Sequence, residues 1–272
     1  MISLATSSQK QAIITLIDKK GKNREYLENW RSISLLNVDV KIASKAIAYR
    51  LRKVLPYLIH PNQTAYIKNR HIGDTLRTLL DIMEYTKTVN IPGLFVFVDF
   101  EKAFDSIEWN FMSEALKAFN FGPDIIDWFE TFYMNISSCM VNNGWASEYF
   151  PLSRGVRQGD PLSPYLFVLA IELFSIAVRN EHQIKGIKID NNEIKLAQFA
   201  DDTTAILKDI SSAQCFFDVL HKFEKVSGLR LNLGKTEAMW IGSKRNSKDT
   251  PLNVKWPKGP IKVLGIFLTY DC

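Results

Sequence analysis

Cysteine is scarce. Three occur in 272 residues, at Cys139, Cys215 and the terminal Cys272. They are far apart, odd in number and at no metal-ligand spacing. That excludes a disulfide scaffold or a zinc finger and leaves a reducing compartment, cytoplasm or nucleus, as the expected location. Long apolar runs are missing too. The longest, residues 165–178, is interrupted by Glu172 and is too short to span a bilayer, so no membrane partner is expected. No secretory signal, internal repeat or low-complexity segment is evident. Nor is there a strong excess of one charge. Lys and Arg number 34 against 29 Asp and Glu, a net +5 that does not by itself imply a nucleic-acid partner.

What is present is a globular composition, 46% hydrophobic and 23% charged, in a chain long enough for a large core or two lobes. The modest positive charge is clustered, in Lys19-Lys20-Gly21-Lys22-Asn23-Arg24, in Arg50-Leu51-Arg52-Lys53 and in Lys68-Asn69-Arg70-His71. Each cluster reads either as a phosphate-backbone contact or as a solvated face. The stretch Gln198-Phe199-Ala200-Asp201-Asp202-Thr203-Thr204 stands out more. Apolar runs on both sides of a polar tip predict a tight strand–turn–strand hairpin. Adjacent carboxylates at that tip raise each other's cost of ionisation, and a divalent cation removes it. Hard oxygen ligands suit magnesium, which fills its shell with water and substrate phosphate. A solvated turn is the plainer alternative for an isolated Asp-Asp pair.

Along the chain, residues 12–17 read as a strand. Residues 39–55 have a helical period, with Ile42, Ala43, Ala46, Ile47, Leu51, Val54 and Leu55 on one side and Pro56 ending or bending the helix. Residues 74–88 predict a second helix. Leu94-Phe95-Val96-Phe97-Val98 is a continuous apolar run, the pattern of a strand buried on both faces, and it ends in Asp99. Asp105 and Glu108 are expected to cap the next helix. The loop Ser153-Arg154-Gly155-Val156-Arg157-Gln158-Gly159-Asp160-Pro161 enters an apolar helix over about 162–178. Its glycines leave room for close approach to a substrate, and Arg154 and Arg157 can meet phosphate. Residues 212–227 predict an amphipathic helix stopped by Gly228, with Phe216, Phe217, Leu220, Phe223 and Val226 inward. Alternation at 229–233 reads as a half-buried strand, and 261–269 as a strand kinked at Gly265.

Asp99 precedes Asp201 by 102 residues, each at a strand end. Three carboxylates on neighbouring strands would hold two ions suited to in-line phosphoryl transfer. The segments Phe97-Val98-Asp99-Phe100-Glu101-Lys102-Ala103-Phe104-Asp105, Gly155-Val156-Arg157-Gln158-Gly159-Asp160-Pro161-Leu162-Ser163-Pro164, Phe199-Ala200-Asp201-Asp202, Gly228-Leu229-Arg230-Leu231-Asn232 with Lys235-Thr236, and Leu264-Gly265-Ile266 follow in an order and spacing that resembles the reverse transcriptases of non-LTR (LINE-type) retrotransposons. Asn29-Trp30-Arg31-Ser32-Ile33-Ser34-Leu35-Leu36 resembles the fingers region of the same family.

The resemblance implies an α+β right-hand polymerase. Fingers would span 1–92 with part of 112–154; a palm of 93–111 and 155–272 would carry motifs A to E on an antiparallel sheet backed by helices; the thumb would be absent or truncated at Cys272. Asp99, Asp201 and Asp202 would hold two Mg2+ ions, with Mn2+ as a substitute and the Phe100 carbonyl as an extra oxygen. Phe104 matches the gate against a ribose 2′-hydroxyl, which favours DNA as product. Gln158 and Gly159 match positions beside the nascent base pair and the incoming nucleotide, and Arg31 the arginine that meets the triphosphate. Lys235 matches the group that protonates or neutralises departing pyrophosphate, and is otherwise a surface lysine. Leu264 and Gly265 lie in a likeness of the primer-gripping hairpin. Ser32 departs from the family's usual proline after the arginine, which could loosen the turn that aims Arg31. The implied partners are an RNA template, a DNA primer and dNTPs, with endonuclease and thumb regions in a full-length element protein. A non-catalytic nucleic-acid-binding remnant and a group II intron maturase-like splicing cofactor are the alternatives.

Overall fold

The apolar residues on either side of the first basic loop form β1 (Gln11–Asp18) and β2 (Trp30–Leu36), an antiparallel pair in the register Ile14↔Ser34. The computed structural model describes residues 6–269, so Cys272 lies outside the described residues. α1 (Val38–Leu58) comes next. Pro56, expected to end or bend it, lies inside the helix, which runs two residues further. The Arg70 guanidinium ties down the chain just beyond that end, donating to the carbonyls of Ile59 (2.8 Å), His60 (2.7 Å) and Gln63 (2.8 Å). Arg70 is thus spent on the fold rather than offered to phosphate.

The buried side of α1 is rotated from the expected one. Val40, Ser44, Ile47, Ala48, Leu51 and Leu55 face inward, while Ile42 is 66% exposed. The cause is polar: the Ser44 hydroxyl meets the buried Asp160 carboxylate at 2.5 Å, and a hydrophobic count does not see that partner.

α2 (Ile72–Thr88) opens on a capping box in which Asp74 accepts from the His71 backbone N–H at 2.7 Å. β3 (Pro92–Val98), α3 (Ala103–Ser106) and α4 (Trp109–Ala118) follow. Of the two residues expected to cap the next helix, Glu108 does not do so with its side chain. Glu108 is the N-cap of α4 but its side chain makes no cap bond and lies 3.5 Å from Arg154; Asp105 sits inside α3. α5 (Pro123–Tyr133) precedes β4 (Ser137–Asn142) and the short β5 (Trp145–Ala146) and β6 (Phe150–Pro151). α6 (Ser163–Asn180) has the length and composition to cross a membrane, more than the apolar run suggested, but most of it is buried inside the chain. The remaining elements are β7 (Ile187–Ile189), β8 (Asn192–Ile194), β9 (Leu196–Phe199), β10 (Asp202–Leu207), α7 (Ile210–Ser227), β11 (Glu237–Gly242), β12 (Ile261–Val263) and β13 (Ile266–Leu268).

The chain divides into two compact units, with the three divisions falling inside α1, α3 and α6. One comprises Met1–Leu55 and Phe104–Leu169, the other Pro56–Ala103 and Ala170–Cys272. Residues 56–92, expected with the N-terminal region, belong to the second unit. In the first unit a sheet runs β2-β1-β4-β5, with β6 also on β4, and the β1–β4 pair is parallel. Its core has a polar centre. Asp160, 2% exposed, accepts from Tyr133 (3.0 Å) and the Leu162 N–H (3.0 Å) as well as Ser44, and pairs with Arg157 at 3.3 Å.

The second unit is built on the antiparallel order β11-β3-β10-β9. β3, Val- and Phe-rich and almost wholly buried, lies in the middle, as a continuous apolar run requires. One face of the sheet, with Phe95, Ile206, Met239 and Ile241, packs against Leu79, Ile82 and Met83 of α2. The other meets α7, whose Phe216 and Phe223 group with Phe174 of α6 at centroid distances of 5.7 and 5.3 Å. α7 starts on Asp209, which accepts from the Ser212 N–H, and stops at Gly228 in the left-handed conformation. Val226, expected inward, is exposed because it falls on the far side of the last turn.

Two expected strands resolve differently. Residues 229–233 form no strand; Leu231 makes a single bridge to Phe100, since the chain turns away at Asn232 after too few residues for a ladder. Residues 261–269 are the hairpin β12–β13, with Leu264 (φ 48°) and Gly265 (φ 91°) as its two-residue turn rather than a kink.

Glu172 is 1% exposed, and its carboxylate is 2.5 Å from Arg179. Burial raises its pKa, and the Arg179 charge opposes the rise. Arg179→Met should therefore cost about 3 kcal/mol of unfolding free energy by urea titration. The carboxyl then protonates further above its unfolded value, so the loss should be greatest near pH 8 and shrink as pH falls toward about 5.

Candidate active site

The second unit gathers the three acids. Asp99 directly follows β3, and Asp202 opens β10 after the turn residues Ala200 and Asp201. The β3–β10 register pairs Thr203 with Val98, and one step further along an antiparallel pair brings Asp202 opposite Asp99. The turn between β9 and β10 is tight because Ala200 takes the left-handed conformation at φ 55°.

The acids bear on one another's protonation. Burial raises the Asp201 carboxyl above the usual range, and the negative charge of Asp99 adds to it. Asp202 faces solvent at the strand end, yet protein atoms crowd its carboxyl. Burial, then Asp201, then Asp99 push it up to about 6. Asp99 is anchored through its backbone: its N–H donates to the Thr236 hydroxyl (3.3 Å) and its carbonyl accepts from the Asn232 N–H (2.8 Å). Phe100 is buried and bridged to Leu231. Lys235 is exposed on the turn that follows Asn232, and Leu264 and Gly265 form the β12–β13 turn.

The first unit holds the other expected residues. Arg31 is exposed on β2, beside Ser32, whose hydroxyl lies 3.4 Å from Asp105. The Phe104 ring stacks on Phe167 with centroids 4.4 Å apart and planes 9° from parallel, so its orientation is fixed. Gln158 donates to the Asp105 carboxylate at 3.3 Å, and its carbonyl accepts from the Ser34 N–H at 2.7 Å. Two expectations need correction. Arg157 is 4% exposed, bound to Asp160 and set 5.1 Å from the Tyr133 ring, so it cannot meet primer or template. The room at the loop glycines belongs to the chain itself. A Cβ on Gly159 (φ 111°) would lie 2.6 Å from the Ser34 carbonyl oxygen, and one on Gly155 (φ 88°) 2.8 Å from that of Asp105. Arg154 stays half exposed beside Glu108.

Residues missed in the sequence cluster around the acidic hairpin. Gln63 and Gln198 are fully buried, and Tyr66 lies close enough to Asp201 for that carboxylate, after burial, to raise its phenol. Gln198 accepts from Ser175 (2.6 Å) and donates to Thr203 (3.0 Å). A glutamine inside an otherwise apolar strand beside two acids was the available signal.

Among the described residues no group of three or more His, Cys, Asp or Glu side chains is placed to hold a metal ion. The donor set nonetheless fits a hard divalent cation. Magnesium needs only one or two carboxylates and completes its shell with water and phosphate, and mutual repulsion of the three acids is what a cation relieves. Without a cation, that repulsion should be measurable as instability. Asp202→Asn should stabilise the cation-free chain near pH 7 by about 1 kcal/mol, the shift being discounted for solvent screening. The folded-state pKa of about 6 exceeds the ordinary 3.8. The gain should therefore be full above about pH 6 and vanish toward pH 4, as read by thermal melts in chelator.

Comparison with known proteins agrees with this arrangement. A family profile described as "Reverse transcriptase (RNA-dependent DNA polymerase)" matches residues 17–268. A 149 kDa protein of transposon TX1 from Xenopus laevis is 31% identical over 267 residues, covering 97% of this chain and 20% of its own length. The Pol polyprotein of the type-2 retrotransposable element R2DM from Drosophila melanogaster is 27% identical, covering 84% of this chain and 21% of its own length. This chain thus spans about a fifth of those relatives. Telomerase from Candida albicans, solved with a fragment of telomeric RNA, shares the fold at TM-score 0.65 and 13% identity, over 98% of this chain and 46% of its own. The chain belongs to the reverse transcriptase family and is a domain of the non-LTR retrotransposon type.

Proposed function

We propose that the chain is the polymerase portion of a larger element protein and joins deoxynucleotides to a primer on an RNA template. The observation that carries this reading is the meeting of Asp99 with Asp201 and Asp202 at adjacent strand ends. The primer 3′-oxygen attacks the α-phosphorus of a dNTP, a new P–O bond forms, and the α–β P–O bond breaks with release of pyrophosphate. Two Mg2+ ions, when bound, would favour the deprotonated primer hydroxyl and neutralise the leaving group. Asp99, Asp201 and Asp202 would hold them. Lys235, exposed and flexible, would supply a proton or a charge to the pyrophosphate. The Phe104 ring, locked on Phe167, offers a ribose 2′-hydroxyl neither room nor a partner. Gln158 and Arg31 would contact the nucleotide, the first held by Asp105 and the second free in solvent. Lys45, Arg52 and Lys53 on the exposed side of α1 supply positive charge for a nucleic-acid backbone.

The test is primer extension on an RNA template, with deoxy- and ribonucleotides in parallel. Incorporation of dNTPs should require Mg2+ and fall roughly 100-fold or more in Asp201→Asn. Phe104→Val should admit ribonucleotides at least about ten-fold better while leaving dNTP use largely intact. If a chain extended by its natural C-terminal neighbour makes no DNA while still binding RNA in a salt-sensitive way, the non-catalytic reading replaces this one.

A further inference from the structure

The turn that carries Asp201 is held by a residue outside the family motifs quoted above. Gln63, 0% exposed, lies in the connection between α1 and α2. Its Oε1 accepts from the Ala200 N–H at 2.9 Å, and its Nε2 donates to the Ala200 carbonyl at 3.2 Å. One amide thus engages both backbone groups of the tip residue, whose φ of 55° is a conformation that alanine rarely adopts. The orientation of the amide is settled, because Oε1 also accepts from the Ala65 N–H at 3.0 Å; turning the amide over would set an NH2 against two donors.

The support behind Gln63 is rigid. Its segment runs alongside β9 in a parallel bridge, Gln63↔Gln198, with the Thr64 N–H donating to the Gln198 carbonyl (3.0 Å) and the Gln198 N–H to the Asn62 carbonyl (2.8 Å). The Gln63 carbonyl is fixed in turn by Arg70 at 2.8 Å. The edge of the sheet is therefore extended by a short stretch of foreign backbone, and that stretch ends in a side chain aimed at the catalytic turn.

The geometry points to Gln63 as a positioning residue for the metal-binding hairpin: its amide clamps the Ala200 peptide groups in the left-handed conformation that aims Asp201 toward Asp99. This rests on the polymerase reading for its consequence, but not for its test. Loss of the clamp frees a turn that three like charges already push apart, so the acids separate and cation affinity drops. Nothing in the clamp touches substrate, so nucleotide binding should be spared.

The test uses the full chain and Mn2+, with bound and free ion separated by electron paramagnetic resonance and Asp201→Asn as the control for site occupancy. Gln63→Met keeps length and removes both hydrogen bonds. It should weaken Asp201-dependent Mn2+ binding about ten-fold or more. Gln63→Glu keeps the acceptor for the Ala200 and Ala65 N–H groups and loses the donor, so it should fall between. In extension assays kcat should drop with KM for dNTP unchanged. A residue with only a bulk structural role would lower the melting temperature and leave the affinity of the folded fraction intact; Mn2+ binding by Gln63→Met within about two-fold of the parent overturns the clamp. Should Gln63→Met fail to fold, Gln63→Glu is judged by the same ratio. Parent protein that binds Mn2+ through Asp201 yet makes no DNA refutes the polymerase reading and leaves the clamp to the binding data. Parent protein with no Asp201-dependent binding refutes the clamp.

Discussion

The pairing of β3 with β10 is the constraint on which the site depends. Asp99 and Asp202 are more than 100 residues apart in the chain, and the Thr203↔Val98 register alone sets them side by side. A slip by one residue would turn one of them to the opposite face of the sheet. The register is protected because both faces are buried: Phe95 and Ile206 pack toward α2, while Val96 and Ala205 are buried on the side of α7. Hydrophobic burial on two faces therefore fixes, through the period of two, which way a carboxylate points. The site inherits its precision from the core rather than from any contact between the acids, which repel.

That repulsion explains the polar devices around the hairpin. Asp201 and Asp202 are both held above their ordinary pKa range, so the folded state near neutral pH carries an electrostatic penalty at this point. Gln198 reaches Ser175 on one side and Thr203 on the other, Thr236 holds the Asp99 N–H, and Asn232 holds its carbonyl. Each is a neutral group that bonds backbone or a neighbouring side chain. Neutral supports are suited to this role because a cationic one, such as an arginine, would satisfy the acids and compete with the metal.

What could be read in advance follows the physics of each element. The apolar run of β3, the β9–β10 hairpin and α7 with its Gly228 stop were legible, because period, turn and cap act within a few residues. The face of α1, the fate of Arg157 and the roles of Asp105 and Glu108 were not. Ser44 turns α1 toward Asp160, 116 residues away, and the same Asp160 draws Arg157 into the core. Asp105 and Glu108 look like caps by spacing, but Gln158 and Arg154 approach them from the loop after β6. For α1, Asp105 and Glu108 a distant polar partner overrode a local pattern, while Arg157 is held by a partner only three residues on; polar partners, near or far, leave no periodic trace in a sequence.

The glycines make the same point from the backbone. Gly155 and Gly159 suggested a loop opened for substrate, and each proves to be occupied by the chain's own carbonyls, those of Asp105 and Ser34. The close approach was real; its partner was misjudged. This loop is stitched to its surroundings by the Gly155 N–H on the Ile107 carbonyl (2.7 Å), the Val156 N–H on that of Phe104 (2.7 Å) and the Gln158 carbonyl on the Ser34 N–H (2.7 Å). A loop tied at three successive points has little freedom left to lose when a ligand arrives, so the ordering cost falls on folding rather than on binding. The same logic holds at the hairpin, where Ala200 rather than glycine occupies a left-handed position. An alanine there raises the cost of forming the turn but narrows what the turn can do once formed, and a metal site benefits from the second more than it suffers from the first.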